Sequence, residues 1–372
     1  MGRSCTGGSA YCNETSILHF DLSDNNESMG CSESKEVHVV SRVSMPGPRP
    51  TKPLYNLTSH TIASGASATN SNTINWAVYP ELKPYRDEYF IDPEDVRVIR
   101  KLPSNYMTTE MGNWSGESVI LKSVDLASSA DEQAKSRKAL MTEISSMVRI
   151  DHPNIVGFKG FCVAPTKGLS CVTEYMEGGT LRSLLDNPKT FAKLTWRREK
   201  INFAIDICSA LCYMHNLKPR LIHRNIKASK VLLSRDRTKA KLSGFGASRD
   251  RSFDQQMTNQ IGEIQWSAPE LIMEDEDYTE KVDVYSFGVL LTELDTGLIP
   301  FAGIKETMPS TAFTNKIVSG ALRPTLSPEC PEIIALVVKS CIQQDPHIRP
   351  SSERVLEMLH NAKTQLNEYE SL

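Results

Sequence analysis

Hydrophobic and polar positions divide the chain into a patterned part and an unpatterned one. Val96-Arg97-Val98-Ile99 alternates into a first strand, and Val119-Ile120-Leu121 forms a second apolar run. Ser129 to Ile150 places Leu140, Ile144, Met147 and Val148 at three- and four-residue spacings, the period of an amphipathic helix. Two more strands are predicted around Phe158–Phe161 and Leu169–Thr173. Leu194 to His215 reads as a long buried helix, with Ile201, Ala204, Ile205, Cys208, Leu211 and Cys212 along one face. Val231-Leu232-Leu233 and Ala240-Lys241-Leu242 flank a polar turn and predict a short hairpin. Both helical stripes read as free of charge, as intact cores require.

Residues 1–85 lack this patterning. They are rich in Ser, Asn, Thr, Gly and Pro, and Met45-Pro46-Gly47-Pro48-Arg49-Pro50 excludes helix or central strand. So little apolar surface does not offset the entropy of ordering, and the expectation is a disordered extension. Trp76 to Phe90 mixes aromatic and charged residues and reads either as a lead-in that packs on the folded part or as a linker. Met1-Gly2-Arg3-Ser4-Cys5-Thr6 fits the N-myristoylation pattern at Gly2, with Cys5 as a second acylation candidate. One myristoyl chain gives only marginal membrane binding, whereas two hold.

Composition adds bounds. The chain has 372 residues, 40% hydrophobic and 23% charged, ordinary for a soluble globular protein. A net charge of −3 gives no sign of a nucleic-acid partner. The nine cysteines show no metal-ligand spacing; Cys208 and Cys212 read as small core residues, and the compartment as reducing and cytoplasmic. No apolar run reaches the roughly 18 residues of a membrane span.

The candidate chemistry lies between Leu221 and Arg249. His223-Arg224-Asn225-Ile226-Lys227 precedes the hairpin and Gly244-Phe245-Gly246 follows it. This arrangement resembles the catalytic loop and metal-binding turn of the eukaryotic protein kinases, whose pattern is H-R-D-L-x-x-x-N followed by D-F-G. Val119-Ile120-Leu121-Lys122 is similar to the V-A-I-K strand, and Ser267-Ala268-Pro269-Glu270 to A-P-E. Asp283-Val284-Tyr285-Ser286-Phe287-Gly288 is similar to the start of the central large-lobe helix. With Val172-Thr173-Glu174-Tyr175-Met176, these place the resemblance in the tyrosine-kinase-like branch, whose active members mostly phosphorylate Ser and Thr.

The resemblance implies an α+β, two-lobed fold over residues 91–362, with a small antiparallel β lobe at about 91–176 and a mainly helical lobe at about 177–362. It implies that Lys122 pairs with Glu143 of a regulatory helix. Thr173 takes the gatekeeper position, and Glu174 and Met176 the hinge beside a nucleotide. Met147, Phe158, His223 and Phe245 form a hydrophobic spine. Asp283 holds the catalytic loop, and Glu270 pairs with Arg349. Ser248, Ser252 and Thr258 fall in the activation-loop region, with Arg224 placed to receive a phosphate.

The departures carry as much information. Asn225 stands where the catalytic Asp belongs, and an amide has almost no basicity. Lys230 replaces the metal-binding Asn and Gly244 the metal-binding Asp, whereas magnesium wants hard oxygen ligands. The three phosphate-loop glycine positions fall on Leu102, Ser104 and Met107, and bulky Ile120 takes the small position facing adenine. The expectation is therefore a pseudokinase with no metal site, weak or absent ATP binding and no need for magnesium. It would act by binding proteins, an active kinase among them, and would meet a membrane only if Gly2 and Cys5 are acylated. Two alternatives stand beside it: a Ser/Thr kinase of atypical mechanism, and a membrane-tethered adaptor.

Overall fold

In the computed structural model, residues 74–104, 107–164, 167–250, 264–275 and 277–368 are described. Gly2, Cys5, Ser252 and Thr258 lie outside these residues. A short helix α1 (Arg86–Tyr89) leads into five strands: β1 (Val96–Leu102), β2 (Thr108–Trp114), β3 (Glu117–Ser123), β4 (Phe158–Ala164) and β5 (Gly168–Glu174). They form one antiparallel sheet in the order β1-β2-β3-β5-β4. The alternation read in Val96–Ile99 does not bury that strand. β1 is the sheet edge, with a register shift between Val98 and Arg100, and Val98 and Ile99 are exposed.

Helix α2 (Ala130–Met147) packs with this sheet. A capping box starts it: the Ser129 hydroxyl accepts the Glu132 N–H, and the Glu132 carboxylate accepts the Ser129 N–H at 3.0 Å. Leu140, Glu143, Ile144 and Met147 form its buried face. The following loop joins the hairpin of β7 (Val231–Leu233) and β8 (Ala240–Leu242), because Val156 N–H donates to Leu242 and Leu242 N–H donates to Asn154. The Lys241 ammonium meets the Glu174 carboxylate at 2.6 Å, so the end of β5 is tied to β8 as well.

The remaining helices make the second lobe: α3 (Leu181–Leu185), α4 (Pro188–Phe191), α5 (Glu199–His215), α6 (Pro269–Ile272), α7 (Lys281–Thr296), α8 (Ser310–Val318), α9 (Glu332–Cys341) and α10 (Ser352–Glu368). A two-residue ladder joins β6 (Leu221–Ile222) to β9 (Arg249–Asp250). The α+β, two-lobed architecture is the one expected.

Three local expectations need correction. The long helix begins at Glu199 rather than Leu194, because the Glu199 side chain accepts the Thr195 N–H and the Trp196 indole is pinned to Asp295 at 2.8 Å. The helical stripes are not free of buried charge: α2 buries Glu143 and α5 buries Lys200, and α7 buries Asp283, Glu293 and Asp295 as well. Residues 76–85, expected to belong to a disordered extension, form short helical turns, and Leu82 is 0% exposed in the core. Cys208 and Cys212 are buried free thiols, and among the described residues no helix is long and apolar enough to cross a membrane.

Candidate functional site

The cleft-facing loop of residues 223–230 is held from beneath by carboxylates on α7. Asp283 is 0% exposed and accepts the backbone N–H of His223 and of Arg224, each at 2.8 Å. His215 Nε2–H donates to the same carboxylate at 3.1 Å, while its Nδ1 meets the Ser352 hydroxyl at 3.0 Å. Burial alone raises an acid's pKa, but the His215 contact and the amide donors outweigh it and hold Asp283 below the usual carboxylate range. Glu293 grips the far end of the loop. It accepts from Ala228 N–H at 3.0 Å, Trp266 Nε1–H at 2.7 Å and Arg182 at 3.0 Å, and burial raises its pKa in spite of these donors.

These two anchors fix a loop whose backbone is strained at Arg224, with φ of 62° for a non-glycine residue. The Arg224 guanidinium donates to the Ala247 carbonyl at 2.5 Å and to the Tyr278 hydroxyl at 3.1 Å. Ser248 is not displayed for modification as an exposed loop serine would be. It is 4% exposed, and its hydroxyl has no hydrogen-bond partner among the described residues.

The state of His223 follows from its neighbours. Nδ1 accepts the Asn225 N–H at 3.2 Å, so the ring proton sits on Nε2 and is donated to the Ser243 carbonyl at 3.2 Å. Burial pushes its pKa down to about 4, with the Lys230 charge acting in the same direction, so the ring is neutral near pH 7. Phe245 meets His223 edge to face at 4.9 Å. Met147 belongs to the same buried cluster as Phe245, and Phe158 packs against that cluster.

On the small-lobe side, Lys122 Nζ lies 2.5 Å from Glu143 Oε1. Burial would lower the pKa of this lysine, but the Glu143 carboxylate holds it above the ordinary value. Thr173 is buried on β5 opposite Ile120 of β3. Glu174 spends its carboxylate on Lys241 and on the Gly157 N–H at 2.7 Å. Met176 is buried just beyond β5. Leu102 and Met107 flank the turn between β1 and β2, and Met107 packs against the core.

Gly244 and Lys230 decide the character of the cleft. Gly244 is left-handed, with φ of 85° and ψ of 56°, a conformation without steric cost only for glycine. A Cβ added there would stand 2.8 Å from Lys230 Cδ and 3.4 Å from its Nζ. The Lys230 side chain thus lies where a side chain at position 244 would begin. Magnesium requires oxygen donors, whereas this corner presents an ammonium and methylenes, with the Asn225 amide on the same loop. Among the described residues no group of three or more His, Cys, Asp or Glu is placed to hold a metal ion. At this corner neither Lys230 nor Gly244 brings a side-chain oxygen donor.

Comparison with known proteins gives the family. The profile of protein tyrosine and serine/threonine kinases matches residues 105–359, more than half of the chain. The chain belongs to the eukaryotic protein kinase superfamily, on its tyrosine-kinase-like branch. It is 31% identical over 280 residues to the serine/threonine/tyrosine-protein kinase HT1 of Arabidopsis thaliana, covering 74% of this chain and 69% of that protein. It is 34% identical over 280 residues to a probable serine/threonine-protein kinase of Dictyostelium discoideum, covering 74% of this chain but only 29% of that protein. The probable serine/threonine-protein kinase drkB of the same organism is 31% identical over 288 residues and is covered to 39% of its length.

Within this kinase domain, Glu270 and Arg349 form a two-pronged pair at 2.5 and 2.9 Å. Arg349 is 1% exposed and also donates to the carbonyls of Gln343, Lys281 and Gln344. Sequence reasoning missed His215 and Glu293. The signal for Glu293 was its position ten residues after Asp283 on one apolar helix, where an acid without a partner would be costly.

Proposed function

We propose that this kinase-fold chain is a pseudokinase that works by binding other proteins, as a signalling scaffold or as an allosteric partner of an active kinase. The observation that carries the reading is the Lys230 side chain packed over left-handed Gly244, with Asn225 in the position of the catalytic base. An ammonium repels a divalent cation, and an amide takes no proton from a substrate hydroxyl. ATP binding is weak or absent and needs no magnesium. The relatives' names denote kinases; this chain departs from such activity at the three positions that run phosphoryl transfer.

A second reading, a Ser/Thr kinase of atypical mechanism, draws on the Lys122–Glu143 pair, which sits as a phosphate-binding pair would. Incubation with γ-labelled ATP and either magnesium or manganese separates the two. We expect no label on the protein or on generic substrates. Metal-dependent autophosphorylation that disappears in Lys122→Ala would overturn the proposal. Membrane attachment belongs to this reading only if Gly2 and Cys5 are acylated, which intact-mass measurement of protein from cells reveals.

A further inference from the structure

Residues 76–91 precede the sheet, and they are built into the small lobe. Leu82 and Tyr79 lie in the same buried cluster as Leu140, Ile144 and Met147 of α2 and Phe161 of β4. Trp76 meets Phe90 edge-on at 5.8 Å and Phe161 at 6.4 Å, and Phe90 meets Phe161 at 6.1 Å. Tyr89 lies over Phe158, 5.4 Å between ring centres.

The backbone joins in as well. β4 is the outer strand of the sheet, and the Ile91 N–H donates to the Phe161 carbonyl at 2.8 Å, with Phe90 bridging Phe161 in parallel. Gly160 makes this approach possible. A Cβ there would stand 2.3 Å from the Tyr89 carbonyl oxygen and 2.9 Å from Ile91, and its φ of 153° disfavours other residues. β4 therefore carries a glycine at the point where the segment crosses it.

The contacts lead to the cleft. Tyr89 touches Phe158, Leu82 shares a cluster with Met147, and α2 carries Glu143, the partner of Lys122. We propose that residues 76–91 are a strap docked in cis against β4 and α2, and that the strap holds α2 where Glu143 reaches Lys122. The inference does not depend on whether the domain transfers phosphate.

Hydrogen exchange on the full chain tests it. In the unaltered protein, the amides of residues 82–91 and of α2 should open as one unit, with protection equal to within about tenfold. Leu82→Ser should lower protection in α2 and β4 by roughly a hundredfold, leave α7 and α9 unchanged, and speed acylation of Lys122 by an amine reagent. Gly160→Ala should act in the same direction. The strap is a passive tail, and the proposal fails, if its amides exchange orders of magnitude faster than those of α2 in the unaltered protein. It fails equally if α2 protection and Lys122 reactivity are unmoved in Leu82→Ser. Should the variant unfold throughout, the pattern in the unaltered protein decides the case alone.

Discussion

The loop of residues 223–230 has an underside and a cleft-facing side, and the two are built differently. Beneath it, Asp283 and Glu293 are fully buried carboxylates, each with three hydrogen-bond donors. On the other side the Lys230 side chain packs against Gly244, and Asn225 is part-exposed. Buried charges tolerate little change, because an ion that loses its partner keeps its desolvation cost. A group on a partly open cleft wall can change at small energetic cost. The contrast teaches that the fold of a kinase domain depends on the acids under the loop and not on the acids that would act above it.

The largest expected effect breaks the underside. Asp283→Ala should lower unfolding free energy by roughly 3–5 kcal/mol, as should Arg349→Ala at the buried Glu270 pair elsewhere in the lobe, whereas Asn225→Ala should stay within about 0.5 kcal/mol. Urea denaturation reads all three, and equal midpoints would dissolve the distinction.

Next in size is an effect of pH on the spine. His223 is held at about 4 in the fold against an ordinary value of 6.5. Between those values the unfolded chain takes a proton that the fold excludes. The stabilisation is complete above the unfolded value and is lost as pH falls through this window, amounting to roughly 3 kcal/mol. A His223→Leu variant should show a flatter stability curve from pH 6.5 to 4 than the unaltered chain. Parallel curves would mean that the buried ring does not titrate as its surroundings require.

The smallest expected effect concerns the cleft-facing side. Gly244→Asp alone sets a Cβ against Lys230 and places a non-glycine residue at positive φ. Lys230→Asn removes the obstructing methylenes and the charge. A double-mutant cycle should therefore give a favourable coupling of about 1–2 kcal/mol between the two changes. Additive effects would show that Lys230 does not govern position 244.

Much of the fold was legible because strands, amphipathic helix and hairpin each have a period in the sequence. The positions of the Lys122–Glu143 and Glu270–Arg349 pairs were legible only through family resemblance, since 21 and 79 residues separate the partners. Of the buried acids of α7, Asp283 was legible through the family resemblance, but Glu293 was missed for a physical reason. Its place on an apolar helix hints at burial, but nothing local names its partners, because Arg182, Ala228 and Trp266 come from three distant segments. The sequence left Trp76 to Phe90 undecided between a packed lead-in and a linker for a related reason: aromatic residues among charges look alike in both until Gly160 and Phe161 are brought beside them. The packing of Lys230 over Gly244 likewise needs the hairpin to fold back before the two positions meet.

The central claim is that the cleft is not organised around a metal, and nucleotide binding measured by thermal shift tests it most directly. With micromolar Mg-ATP the account predicts a change in Tm of under about one degree, and any residual shift should survive a chelator. A shift of several degrees that vanishes on adding the chelator would show a working metal site and contradict the account.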